Sequence, residues 1–364
     1  MEALLKHVSG DRIPASTDLL SKRELEEQIS ALEEPPPSVI AVGDIMLGGR
    51  AKKTVAEYGP DYPFDAVLPL LRSAPIVLGN LEGPFAHKAR KQPRNFSYRV
   101  DVELASSLTR AGINVVTLAN NHLLDCGRAG VLETLNALAV ARVSPLGAGT
   151  DEKAAHAPVI RQAGRLRIGL LGYYWNRRTA ATSAQPGSAM DLPEALEADI
   201  RGLRGHVDRI VVTFHWGVPY EREPAPADRE KAHFAVDCGA DVVVGHHPHI
   251  VQPFEIYRGC PIFYSVGNFA FGSGNSRAEG LLVGLRFEAK NIVVTVYPLY
   301  VKNRDPRVDY QPKVLTGKAA ERMLSELMNL SGASAALMKV KDGRGTLELS
   351  WPGERPGTGE SSHD

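Results

Sequence analysis

The stretch that most constrains this chain is Gly245-His246-His247-Pro248-His249, directly after the apolar run Val242-Val243-Val244. Imidazoles crowded at the exit of a short strand make poor core material, because each buried ring nitrogen needs a partner. Imidazole is also the commonest protein ligand for transition metals. A solvated His-rich loop explains the pentapeptide equally well when it is taken alone. Its weight comes from company, since other strands in the chain end in the same way.

From Val39 onward, short aliphatic or β-branched runs alternate with longer amphipathic segments, the pattern of strands joined by crossover helices. The strands are expected at Val39–Val42, Ile76–Leu78, Val115–Leu118, Arg167–Leu171, Ile210–Phe214, Val242–Val244 and Ile262–Val266. Helices are expected over Val102–Arg110, Arg128–Leu138, Leu192–Leu203 and Pro226–Asp237. After Gly280 the pattern changes to alternating strands, Leu281–Phe287 and Ile292–Tyr300, which read as an antiparallel pair closing a sheet edge. Residues 1–37 read as a polar extension ending in the stiff Pro35-Pro36-Pro37 linker, 38–310 as the body, and 311–364 as a late helix (Lys318–Leu330) followed by a partly disordered tail.

Composition narrows the partners. Lys plus Arg and Asp plus Glu both number 42, so no overall field points to nucleic acid or an anionic membrane. Cys126, Cys238 and Cys260 are odd in number and widely spaced, which suits a reducing compartment. The first residues show no long apolar region, so the expectation is a cytoplasmic protein with no signal peptide or membrane anchor.

Parallel strands joined by crossovers align their carboxyl ends along one edge, where α/β folds build sites. The exits here read Gly43-Asp44-Ile45-Met46, Asn80-Leu81-Glu82-Gly83-Pro84, Ala119-Asn120-Asn121-His122, His215-Trp216-Gly217 and the triple-His stretch. Singly, each has a bland explanation. Asp44 could cap a helix starting at Ile45, the Asn pair could hold a left-handed turn, Glu82 could be a solvated loop acid, and His122 or His215 a hydrogen-bonded core histidine. Their coincidence at successive strand ends favours a metal site. Mixed oxygen and nitrogen ligands suit Mn, Fe or Zn better than Ca, and two close ions could share Glu82.

These stretches, with Asp125, Gly127 and Ser265-Val266-Gly267-Asn268-Phe269, together resemble the CapA family of capsule and poly-γ-glutamate biosynthesis proteins, within the calcineurin-like metallophosphoesterase superfamily. The resemblance runs in order from about residue 38 to 300. It implies an α/β fold, a four-layer αββα sandwich of two mixed sheets flanked by helices, with two divalent metal ions at one edge. By motif position Asp44 is similar to the first metal-binding Asp and Glu82 to the bridging acid. Asn121, His215, His247 and His249 are similar to further ligands, with His246 and Asn80 as alternates. His122 resembles the general acid, and Asp125 its orienting partner. Superfamily members usually begin Asp-x-His, whereas this chain has Asp44-Ile45-Met46, and a thioether is a weak ligand for a hard ion.

The chemistry expected is hydrolysis by a metal-activated water, with His122 protonating the departing oxygen. Arg50 and Arg99, near the first motifs, and Tyr220 are candidates to bind an anionic small-molecule, phosphoester or γ-glutamyl substrate, and Trp216 to shape the pocket wall. Two other functions stay open. One is metal-assisted attack on a γ-glutamyl or peptide amide; the other is a non-catalytic accessory role beside polymer-biosynthesis enzymes.

Overall fold

In the computed structural model, residues 13–93, 97–273 and 279–351 are described. The aliphatic runs become strands where the sequence places them. Val39–Met46, Ile76–Leu81, Val115–Thr117 and Ser144–Leu146 lie side by side and parallel in a first, ten-stranded sheet. The other flank of Val39–Met46 carries the antiparallel strands Glu279–Phe287, Asn291–Tyr300, Arg344–Ser350 and Lys339–Lys341 in that order. The second sheet runs Phe254–Tyr257, Cys260–Phe263, Val242–His246, Arg209–His215, Leu166–Tyr174, Val159–Ala163, with only the outer two antiparallel to their neighbours.

Neighbouring residues on one strand enter different cores, as a two-residue period requires. Val39, Ala41, Ile76 and Leu78 share a cluster with Leu170, Val211, Val242 and Val244, so the two sheets pack face to face. Ile40, Val42 and Val77 face away, against Leu108, Val131 and Leu138 of helices Ala105–Ala111 and Gly127–Val140. Val212 and Val243 meet Leu196, Ile200 and Ala235 of helices Pro193–Arg204 and Pro226–Cys238. The result is the four-layer αββα arrangement. Burial on both faces explains why the inner strands read as continuous aliphatic runs.

The chain differs from its sequence reading at both ends. The Glu279–Tyr300 hairpin lies inside the first sheet, because Arg344–Ser350 and Lys339–Lys341 continue it, so no boundary falls near residue 310. Helix Gly317–Leu330 buries Ala320, Leu324 and Leu327 in the core between the sheets. Helix Lys22–Ser30, closed at Ser21 by a capping box with Glu24, buries Leu25 beside Leu20 in the first helical layer, and Leu20 N donates to Val314 O at 3.0 Å. Residues 20–31 are therefore part of the body. Leu25→Ala is expected to cost about 2–4 kcal/mol in chemical denaturation, whereas a detached extension would lose almost nothing. The tail expected to be disordered lies outside the described residues, and among those no helix is long and apolar enough to cross a membrane.

Candidate metal centre

The carboxyl ends of both sheets' parallel strands meet at one rim. Two glycines let the chains approach there: a Cβ on Gly43 would sit 2.0 Å from Gly267 O, and one on Gly245 2.0 Å from Tyr264 O. The first contact lets Asn268–Phe271 pair with the end of Val39–Met46, opposing Asn268 to Asp44. Asp44 lies inside that strand and caps no helix; the next helix starts at Ala51.

Asp44, Glu82 and His249 bring one ligand atom each within 4.8 Å of one another. Around Asp44 stand His249 Nδ1, 3.0 Å from Oδ2, and His246 Nδ1, 3.5 Å from Oδ1. On the other side His215 Nε2 meets Asn121 Oδ1 at 2.8 Å, with the His247 ring 4.5 Å from that of His215. Glu82 stands between the two sets, its Oε1 3.8 Å from His215 Nδ1 and its Oε2 3.8 Å from His249 Nε2. His247 (φ +99°) and His249 (φ +56°) both hold left-handed backbone, a strain that side chains accept where the surroundings fix them.

The amide orientations follow by elimination. The backbone N–H of His122 can only donate, so Asn120 turns its Oδ1 to it at 3.0 Å. Asn120 Nδ2 then donates to Leu81 O and to Asn80 Oδ1. Asn80 is left presenting Nδ2 to Asp44 Oδ1 at 2.7 Å and Glu82 Oε1 at 2.9 Å. Asn80 thus spaces the two carboxylates as a donor. Met46 turns its sulfur to Gly48 N at 3.2 Å, so His246 and His249 surround Asp44 instead. His122 donates from Nδ1 to Asp125 Oδ2 at 2.8 Å, leaving Nε2 3.9 Å from Glu82 Oε2.

A model of the bacterial capsule synthesis protein PGA_cap family matches residues 38–273. The chain belongs to that family. It is 31% identical over 342 residues to the capsule biosynthesis protein CapA of Bacillus anthracis, covering 91% of this chain and 82% of that one. It is 34% identical over 243 residues to the PGA biosynthesis protein CapA of Bacillus subtilis (strain 168), covering 65% of this chain and 64% of the relative. Among solved structures, a 5'-nucleotidase from Candida albicans SC5314 aligns with a TM-score of 0.43 at 11% identity, covering 71% of this chain and 50% of that one.

In this PGA_cap chain, electrostatics separates the imidazoles. Burial, then the charge of His247, holds His215 well below its usual range, and burial with the charge of His249 lowers His247 to about 4. Both are neutral at pH 7 and keep a lone pair. Burial opposes the charge on His249 too, but the Glu82 and Asp44 carboxylates outweigh it and raise that ring to about 9. Its raised value contributes stability to the metal-free protein that is complete below the ordinary histidine range and lost as pH climbs through about 9. A ligating His249 must first shed that proton. Apparent metal affinity is therefore expected to rise with pH up to about 9, with net proton release on binding near pH 7.5 from His249 and from Glu82, whose carboxyl burial holds well above the usual range. Calorimetry in buffers of different ionisation enthalpy measures those protons, and buffer-independent heats would remove His249 from the ligand set.

The rim opens into a cleft of about 780 Å³. His122, Asn121, His247, His249 and Tyr220 line it, and Tyr98 covers the His122 ring at 4.5 Å. Burial, then the charge of Glu82, pushes the Tyr98 hydroxyl up to about 12, so it stays a neutral wall. Arg50 and Arg99 are exposed and do not line the cleft. Trp216 is core, stacked on Phe214 and donating to Tyr264 O at 2.8 Å. Asn268 and Arg178 are among the cleft residues that had no assigned role in the sequence. Asn268, whose Oδ1 meets His249 Nδ1 at 3.0 Å, lay within the Ser-Val-Gly-Asn-Phe motif, whereas Arg178 carries no motif at all.

Proposed function

We propose that this protein is a metal-dependent hydrolase of capsule or poly-γ-glutamate polymer synthesis. It would hold two divalent ions, Mn, Fe or Zn: one among Asp44, His246 and His249, the other among Asn121, His215 and His247, with Glu82 shared. The observation that carries this reading is a set of buried polar atoms converging beside Asp44 without hydrogen-bond partners: Glu82 Oε2, His246 Nε2 and His247 Nδ1. Left bare, such atoms cost folding energy; as cation ligands they are satisfied.

Ions bound there supply Lewis-acid polarisation of a substrate oxygen and a more acidic water. The chain's own residues do the rest. His122, with Nδ1 tied to Asp125, directs Nε2 toward the Glu82 side of the cleft and delivers a proton to the departing oxygen. Asn80 keeps the two buried carboxylates apart by donating to both. Tyr98 and Tyr220 line the cleft. The substrate class is an anionic phosphoester or γ-glutamyl compound. A cytoplasmic place of action belongs to the same reading, resting on the odd, scattered cysteines; recovery in a salt-washed membrane fraction would count against it.

Elemental analysis of purified protein, followed by assay on p-nitrophenyl phosphate and γ-glutamyl-p-nitroanilide, tests the proposal. Bound metal with turnover of the first supports the phosphoesterase form, and turnover of the second the amide form. Metal-loaded protein inert toward both would favour the non-catalytic accessory role.

A further inference from the structure

The chemistry above draws on the strand exits of the sequence analysis and leaves one unused. Strand Leu166–Tyr174 ends beside His215, the Tyr174 ring standing 5.4 Å edge-on to the imidazole. In the turn that follows, Asn176, Arg178 and Thr179 line the same cleft as His122 and His249.

That turn is built to hold its shape. Asn176 Oδ1 accepts from Arg178 N at 3.0 Å, and Asn176 O accepts from Thr179 N at 3.1 Å and Thr179 Oγ1 at 2.9 Å. From behind comes Arg128, in the first turn of the helix that follows His122 and Asp125. Its Nη1 donates to Ala180 O at 2.9 Å and to Pro186 O, and its Nη2 reaches Arg178 O at 3.5 Å. Gly187 leaves room for this guanidinium, since a Cβ there would lie 2.5 Å from Arg128 Nη1. One arginine thus couples the His122 segment to the turn that presents another.

Arg178 is exposed, and among the described residues it is the only Lys or Arg lining the cleft and makes no ion pair. Cavities of about 300–1,000 Å³ enclose whole small ligands, so a single phosphoryl or amide group would leave most of the 780 Å³ here empty. A substrate filling it has a second part within reach of Arg178. A guanidinium fork takes a planar or tetrahedral oxyanion in two parallel bonds.

We propose that Arg178 is a specificity-determining residue that binds a second oxyanion of the substrate, separate from the group acted on, and that Arg128 is a positioning residue holding its turn. This rests on the cleft being the substrate site of the function proposed above.

Calorimetric binding of non-hydrolysable ligands to full-length, Mn-loaded protein tests it without turnover. The wild type is expected to bind 4-carboxyphenylphosphonate about tenfold more tightly than phenylphosphonate, as a charge-assisted pair warrants. A 1,4-phenylenediphosphonate arm separates a carboxylate preference from a phosphate one. Arg178→Gln is expected to erase the ratio and Arg178→Lys to restore part of it. Arg128→Gln should lower the same ratio and add nothing to Arg178→Gln in the double variant, whereas a merely structural role would weaken phenylphosphonate equally. Equal wild-type affinity for the ligands, or a loss in Arg178→Gln that is the same for all, would overturn the proposal. Hydrolysis of phenyl phosphate is scored separately: an intact ratio without turnover sinks the hydrolase reading alone, and turnover with a flat ratio sinks only the role of Arg178.

Discussion

Glu82→Gln is expected to make the metal-free protein more stable and the metal-loaded protein less stable than wild type. Glu82 is fully buried, and burial together with the adjacent charge of Asp44 pushes its carboxyl well above the usual range. A raised acid works against the fold at neutral pH: the native state binds a proton that the unfolded chain has released, so stability falls as pH rises above the ordinary glutamate range. Glutamine keeps the shape and still accepts from Asn80 Nδ2 through Oε1. It carries no charge to bury. The metal-free melting temperature should therefore rise by about 1–3 °C, the scale on which one kcal/mol moves a chain of this size. Metal affinity should fall in the opposite sense. Loss of partners beyond the ligands typically costs 10–100-fold, so loss of a carboxylate shared between two ions should cost at least about a hundredfold. At an ion concentration of 100 times the wild-type dissociation constant, wild type gains about 2.7 kcal/mol and the variant almost nothing. Scanning calorimetry with and without metal should thus show the two melting temperatures exchanging order. A variant less stable than wild type under both conditions would mean that Glu82 is a structural acid, and the case for a shared ligand would fail.

How much of this was legible in the sequence depends on what kind of neighbour each residue needed. Asp44, Glu82, Asn121, His215 and His249 could be placed at a common rim because each follows a recognisable strand, and parallel strands joined by crossovers end on one side. Asn80 was legible in place but not in role, since its donor orientation descends through Asn120 from a backbone N–H that no sequence pattern displays. Asn268 reaches Asp44 only because Gly43 and Gly267 let two backbones touch, and Arg178 faces the cleft only because Arg128 pulls its turn from behind. Both depend on contacts between segments far apart in the chain. Arg50 and Arg99 stand near the first motifs, but both are exposed and neither lines the cleft, because no sequence pattern displays which way a side chain leaves the rim. At the ends, Pro35-Pro36-Pro37 suggested a linker, but tertiary contacts of Leu20 and Leu25 override the local stiffness. The strands Lys339–Lys341, at the sheet edge, and Arg344–Ser350, beside it, escaped notice because they are short and half polar.

His122→Ala is expected to lower kcat on an alkyl phosphate by about 10²–10⁴, with bound metal unchanged. The geometry ties His122 to Asp125. Its Nδ1 is engaged by Asp125 Oδ2 at 2.8 Å, and its free Nε2 comes no nearer to Glu82 Oε2 than 3.9 Å. Asp44, His215, His246 and His249 are grouped on the other contacts of the cluster. Asp125 serves two donors through one oxygen, the His122 ring and the backbone N–H of Tyr98 at 2.7 Å, so it fixes the tautomer and also holds the chain segment that carries Tyr98 over the ring. Asp125→Asn should thus leave metal content intact and cost less than His122→Ala, because an amide can still orient the ring but no longer supports its charge. The size of the His122→Ala effect should also depend on the leaving group. A nitrophenolate departs with little need of a proton, whereas an alkoxide needs one, so the loss should grow by about tenfold or more from an aryl to an alkyl phosphate. Parallel losses on both substrates would assign His122 to binding rather than proton delivery, and loss of metal in His122→Ala would move it among the ligands.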